Sequence, residues 1–307
     1  MSEAGAPSRD PIPIGAVAEP PFVKLPDPAT HFRLRAQRFA VLALTHELAP
    51  YLRFMAGLAE AQHQTQDGLP EPAMPTADDE ERARTHAMPP INVGAFALDS
   101  ALAATFDRLF ALATGIDMPE TARLALDAVT AMDRAARADL ARAVLDRATD
   151  THDFAEAAFV AAGLQAHFAR VAARLSPKRL VSVGIGRCPA CGGAPVASLI
   201  VGWQGAHGTR FCACSLCSTL WHVVRIKCVA CDSTEGIVYQ EIAEGPGAGE
   251  VRAETCLKCR SYVKIMQQHE HPALDPVADD VATLGLDLLM RESGMRRAAA
   301  NPYLLGY

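Results

Sequence analysis

All nine cysteines of this 307-residue chain lie between residues 188 and 259, and eight of them form four Cys-x-x-Cys pairs. The pairs are Cys188/Cys191, Cys214/Cys217, Cys228/Cys231 and Cys256/Cys259. Two residues between cysteines let the chain turn a tight knuckle, with both sulfurs facing one ion and backbone N–H groups placed to donate to them. Two knuckles together make a tetrahedral S₄ site, the geometry preferred by Zn²⁺ and by rubredoxin-type iron. The gaps indicate which knuckles meet. Cys191 and Cys214 are separated by 22 residues and Cys231 and Cys256 by 24, each enough for the β-hairpin of a ribbon or rubredoxin-like unit. Only 10 residues separate Cys217 from Cys228, which suits a linker. The first knuckle is therefore paired with the second and the third with the fourth. Interleaved pairing is the alternative.

Local residues support the knuckles unevenly. Pro189 sits where the first turn begins, and Gly192 follows the second cysteine, where the chain often needs a positive φ. Ser218, Asp232 and Arg260 hold the equivalent places in the other pairs and are less suited to them. Cys212 lies outside the pairs and shares a strand face with Cys214. It reads as a small buried filler, with a reserve ligand or reactive thiol as the sharper alternatives. His207 and His222 are near the pairs but are not needed by quartets already complete. Arg187, Arg210, Arg225, Lys227, Arg252, Lys258 and Arg260 lie close to the cysteines. Neutralisation of thiolate clusters explains them better than a nucleic-acid patch, because residues 187–264 hold eight basic against six acidic side chains.

Ahead of the cysteines the texture differs. Residues 1–30 contain seven prolines and read as an extended arm. Residues 31–178 form an all-helical domain of four to six helices. A helical run from His31 to Ala61 should be kinked or split by Pro50, and a short helix is expected over Asp78–Thr85. Asp99 or Ser100 caps a helix reaching Ala113, and Pro119 opens one running towards Thr149. A last helix spans Asp153 to Leu175. Strands are expected at Leu180–Val183, Ala197–Val201 and Gly236–Tyr239, and a helix from Asp275 to Gly294 precedes an irregular tail. The fold class is α+β: the helical domain, then tandem rubredoxin-like or zinc-ribbon β modules over 180–222 and 223–272, then a C-terminal helix and tail over 273–307.

Composition excludes several functions. Half the residues are hydrophobic and the formal net charge is −6, so neither global disorder nor attachment to nucleic acid by bulk charge fits. No run of about 18 apolar residues could span a membrane, and no basic and apolar leader opens the chain. The cytoplasm is the expected compartment, where paired thiols are read first as metal or redox centres. No P-loop, strand–GxGxxG–helix unit, HExxH or GxSxG is present. The acidic runs Asp78–Glu81 and Asp279–Asp280 fall at helix starts, where they complement the dipole. An enzyme is not expected. A homodimer is compatible with the sequence, but no motif specifies one.

The ordered pairs also carry a family resemblance. Arg187-Cys188-Pro189-Ala190-Cys191-Gly192, Cys214-Ser215-Leu216-Cys217 with Trp221, Cys228-Val229-Ala230-Cys231, and Glu254-Thr255-Cys256-Leu257-Lys258-Cys259 with Tyr262 and Lys264 resemble the FdhE family of formate dehydrogenase accessory proteins. Asp279-Asp280, Leu286-Asp287-Leu288-Leu289 and Asn301-Pro302 extend the likeness over roughly residues 180–305. The resemblance implies a cytoplasmic assembly factor that contacts the catalytic subunit of formate dehydrogenase. It also implies iron in rubredoxin-like sites, with the eight paired cysteines as ligands and zinc as the alternative ion. Trp221 and Tyr262 are expected to pack against the ribbons. Two other readings compete. A zinc-ribbon nucleic-acid binder would show salt-dependent affinity, and a thiol or electron-transfer protein would show a reversible midpoint potential.

Overall fold

The computed structural model describes residues 20–304, apart from Phe96, Pro246, Ala300 and the side chain of His152. Much of the proline-rich arm, with Pro7, Pro11 and Pro13, lies outside the described residues, as does Leu305 of the tail. The arm's described end is extended: β1 (Val23–Lys24) pairs antiparallel with Trp221 and Leu220. Asp27 then turns the chain into the first helix, accepting from Ala29 N and Thr30 Oγ1.

Seven α-helices follow among the described residues between 31 and 172, one more than the upper end of the range expected. The expected run is split, as Pro50 implies, into helices α1 (His31–Leu42) and α2 (Ala49–Thr65). Pro50 falls in the first turn of α2, where its missing N–H leaves no helical bond unmade. In α3 (Ala77–Thr85), Thr76 and Asp79 form a reciprocal capping box, and α4 (Ser100–Ala113) is capped by Asp99. The long helix expected after Pro119 is two, α5 (Glu120–Ala131) and α6 (Arg134–Asp146). Met132 turns extended at ψ 137°, and Asp133 starts a new helix by accepting from Ala136 N at 2.8 Å. The extra cap, not a proline or glycine, breaks the run.

Helix α7 (Phe154–Ala172) is the axis of this domain, with 15 of its 19 residues buried. It packs against α2, α4, α5 and α6. Gly163 lets α4 approach closely, since a Cβ there would stand 2.3 Å from Phe106.

The remaining chain builds one sheet. Its strands are β2 (Pro195–Ile200), β3 (Arg210–Cys214), β4 (Leu220–Val223), β5 (Ile237–Gln240), β6 (Val251–Cys256) and β7 (Ser261–Met266). Residues 180–183 form no strand. The strand order is β1-β4-β3-β2-β7-β6-β5. Two antiparallel three-strand meanders, β2–β4 and β5–β7, are joined by a parallel pairing of β2 with β7 through Ser198 and Leu199 against Ile265 and Met266. Each meander repeats one plan: a knuckle, a hairpin, a second knuckle, a third strand.

The expected C-terminal helix is also broken, into α8 (Ala278–Ala282) and α9 (Leu284–Glu292), with β8 (Arg296–Arg297) then pairing with β7. Asp279 and Asp280 stand in the first turn of α8, but they do more than complement its dipole. Both are buried. Asp279 accepts from Arg38 Nε at 3.0 Å, tying α1 to α8. Asp280 accepts from Asn301 Nδ2 at 2.7 Å and pairs with Arg297 and with Lys264 Nζ at 3.2 Å. Lys264 is fully buried and also meets Asp287 at 2.5 Å. No described helix is long and apolar enough to cross a membrane.

Candidate metal centre

The sulfurs converge in two quartets. Cys188, Cys191, Cys214 and Cys217 form one, and Cys228, Cys231, Cys256 and Cys259 the other, with the sulfurs of each within 4.8 Å of one another. These are the quartets that the loop lengths indicate, not the interleaved ones. The shortest approaches are 3.6 Å for Cys188–Cys217, 3.4 Å for Cys191–Cys214, and 3.7 Å for both Cys228–Cys259 and Cys231–Cys256. A tetrahedral ion with metal–sulfur bonds of about 2.3 Å needs sulfurs about 3.8 Å apart. All nine cysteines are free thiols. Donor set and spacing therefore fit a single tetrahedral cation in each quartet.

Four equivalent turns hold the sulfurs. The residue after each pair has a positive φ: 74° at Gly192, 59° at Ser218, 66° at Asp232 and 53° at Arg260. Glycine was expected to be best suited there, and three other residues adopt the same left-handed conformation. The reason is the turn's closure. Gly192 N donates to Cys188 O at 2.8 Å, Asp232 N to Cys228 O at 3.0 Å and Arg260 N to Cys256 O at 2.9 Å. Backbone N–H groups also reach sulfur, from Gly193 to Cys191, from Leu216 and Cys217 to Cys214, and from Ala230 to Cys228, each at 3.4 Å. Hydroxyls complete the cradle. Thr219 Oγ1 lies 3.2 Å from Cys217 Sγ, and Ser261 Oγ lies 3.2 Å from Cys259 Sγ. Sequence reasoning missed these two residues. Their signal was a hydroxyl two places after the closing cysteine of each quartet's second knuckle.

Burial and mutual hydrogen bonding shift the thiols of each quartet in opposite directions. Burial pushes the Cys188 thiol well above its ordinary value and pushes Cys228 up to about 12. Burial acts the same way on Cys217, but hydrogen bonds from the neighbouring thiols and Thr219 outweigh it and hold Cys217 well below the usual thiol range. Cys259 is lowered to about 7 in the same manner, against burial, by Ser261 and its sister thiols. Bound to a cation, the sulfurs of each quartet would be thiolates, so metal binding would be coupled to proton release.

Four of the nearby cations have their direct contacts with carboxylates and carbonyls and not with sulfur. Lys227 pairs with Asp232 at 2.6 Å, Arg252 with Glu241 at 2.7 Å, and Arg260 donates to Ser293 O at 3.1 Å. Arg210 pairs with buried Glu254 and donates to Arg225 O and Lys227 O, pinning the linker between the meanders. Carboxylates and carbonyls within reach are harder, stronger acceptors than thiols, so they take the guanidinium donors. Cys212 joins neither quartet. Its Sγ is buried 3.4 Å from Ser198 Oγ, as the filler reading anticipates. His222 stacks edge-on to Phe211 and His207 to His269. Trp221 is buried, and Tyr262 OH donates to Asp287 at 2.7 Å.

Fold and site together define a helical-domain protein carrying a duplicated β module with two four-cysteine clusters that could each hold a metal ion. The chain belongs to the FdhE family: the descriptions "FdhE, N-terminal", "FdhE, central domain" and "FdhE, C-terminal domain" match residues 20–184, 187–225 and 226–304 in turn. The Protein FdhE homolog of Rhizobium meliloti (strain 1021) is 43% identical over 298 residues, which is 97% of either chain. Protein FdhE of Salmonella choleraesuis (strain SC-B67) is 32% identical over 280 residues, covering 89% of this chain and 87% of its own. The crystal structure of the FdhE protein from Pseudomonas aeruginosa matches with a TM-score of 0.83 at 30% identity, covering 94% of this chain and 99% of that one.

Proposed function

We propose that this protein matures formate dehydrogenase in the cytoplasm by binding the enzyme's catalytic subunit, and that it holds iron in its two cysteine quartets. Family membership supports the accessory role at the level of formate dehydrogenase. The observation that carries the metal reading is the geometry of the quartets, whose nearest sulfurs stand 3.4 to 3.7 Å apart. Cys188, Cys191, Cys214 and Cys217 would hold one ion, and Cys228, Cys231, Cys256 and Cys259 the other. Iron would supply a one-electron couple there, whereas zinc, the alternative, would supply rigidity alone. The chain's own part is to order the knuckles and present a fixed surface to the client.

Two measurements test this. Metal analysis with a visible spectrum on anaerobically purified protein should find two ions per chain, with the sulfur-to-iron absorption of a rubredoxin-type centre. Protein that stays metal-free when refolded with iron or zinc would refute the metal reading. Capture of the formate dehydrogenase catalytic subunit by the tagged, full-length chain should be saturable, and failure to bind that purified subunit would refute the partner.

A further inference from the structure

The two quartets share a ligand set but not an environment. All four cysteines of the first are buried, while Cys231 and Cys259 of the second are partly exposed. Cys188, Cys191, Cys214 and Cys217 belong to the main apolar core, alongside Ile91 and Leu164 of the helical domain, and none of the second quartet does.

The helical domain also grips the first quartet's turns directly. Gln165 Nε2, on α7, donates to Ser215 O at the tip of the second knuckle over 2.7 Å. Ile91 N donates to Ala190 O at the tip of the first over 3.0 Å. Pro89 packs so closely on Gly192 that a Cβ there would lie 3.2 Å from it. The second quartet's tips stand differently. Ala230, Leu257 and Lys258 are exposed, and so are Asp232 and Arg260 behind them. Among the described residues its turns are braced within the C-terminal half, by Arg260 on the Ser293 and Gly294 carbonyls, and by the close approach of Gly186 to Val229 O.

We propose that the two centres divide their labour: the first is a structural fixture, and the second is the exchange site, where metal enters and leaves past Cys231 and Cys259. This rests on the reading that both quartets hold metal. A ligand-exchange reaction requires an incoming donor to reach the ion as protein sulfurs detach one at a time. Partly exposed cysteines beside exposed turn residues permit that attack, and detaching one of them disturbs less packing. Releasing a sulfur of the first quartet requires opening the shared core and breaking the clamps from α7 and residue 91. On release the ion passes to the competing donor, and the freed sulfurs take protons from water, so the exchange needs no oxidant or reductant.

The test uses the full-length, zinc-loaded protein mixed with excess 4-(2-pyridylazo)resorcinol, with iodoacetamide trapping of freed thiols and peptide mass mapping. Zinc release should occur in two phases of equal amplitude, the faster by about tenfold or more, equivalent to ~1.4 kcal/mol in activation free energy. Alkylation during the fast phase should fall on Cys228, Cys231, Cys256 and Cys259, with the first quartet protected. A Cys259→Ser variant should lose the fast phase and retain the slow ion. One phase emptying both quartets together, or labelling of Cys188 and Cys217 first, overturns the proposal. If that variant fails to fold, the wild-type alkylation map still decides. Protein that never takes up zinc would instead refute the underlying metal reading.

Discussion

Arg210 Nη2 on β3 meets Glu254 Oε1 on β6 at 2.8 Å, with the side chains 0% and 2% exposed. This ion pair spans the two meanders beside the parallel β2–β7 seam, and Tyr239 OH adds a hydrogen bond to Glu254 at 3.0 Å. Removing one member leaves the other charged and buried. Arg210→Met is expected to cost about 3–5 kcal/mol, read as a shift in urea midpoint, because it also frees the linker carbonyls of Arg225 and Lys227. Replacing both residues with apolar ones of similar volume should recover much of that loss. A single variant as stable as wild type would show that the pair does not hold the halves together.

The knuckle turns predict opposite effects from opposite substitutions. Ser218 is held at φ 59°, where a side chain is strained, so Ser218→Gly should stabilise the protein by roughly 0.5–1 kcal/mol. Gly192, at φ 74° against Pro89, should lose at least ~1 kcal/mol on change to alanine. Chemical denaturation of both variants in the metal-loaded state checks the pair of signs.

Cys212 separates packing from metal binding. Since its sulfur belongs to neither quartet, Cys212→Ala should bind as much metal as wild type and lose about 1 kcal/mol of stability from the small cavity it leaves. Cys214→Ser, two residues on, should instead forfeit an ion. Elemental analysis of the two purified variants distinguishes the roles.

His167 on α7 should make the fold acid-sensitive. Burial lowers its pKa to about 4, with Arg170 adding to the effect, so it is neutral in the folded protein. In the unfolded chain it titrates near its ordinary value of about 6.5. Between those values the unfolded state binds the extra proton, so stability falls as pH drops below about 6.5, by about 2 kcal/mol at pH 5. A His167→Gln variant should lose less stability than wild type between pH 7 and pH 5. Equal losses, measured by urea midpoint at each pH, would remove His167 as a cause.

The chemistry-bearing part of the molecule was written locally and so could be read. A Cys-x-x-Cys turn closes within five residues, and loops of 22 and 24 residues, each long enough for a hairpin, favour joining the first knuckle to the second and the third to the fourth. Helix ends with a strong signal, such as Pro50 and Asp99, were legible for the same reason. Weaker ones were not: Asp133 caps a helix in the middle of an unbroken apolar pattern, and nothing near it announces a stop.

What the sequence by itself determined is the four knuckles and the favoured membership of each quartet, because loop closure and turn geometry depend on neighbours in the chain. Tertiary structure alone decided that the two meanders fuse through β2 and β7 into one sheet. It also decided that Asp280 and Asp287 enclose Lys264, and that one quartet is buried while the other is left partly exposed. Those outcomes hang on contacts such as Gln165 with Ser215 and Ile91 with Ala190, made by residues far apart in sequence. Burial is a property of the whole packed chain, and no spacing of cysteines encodes it.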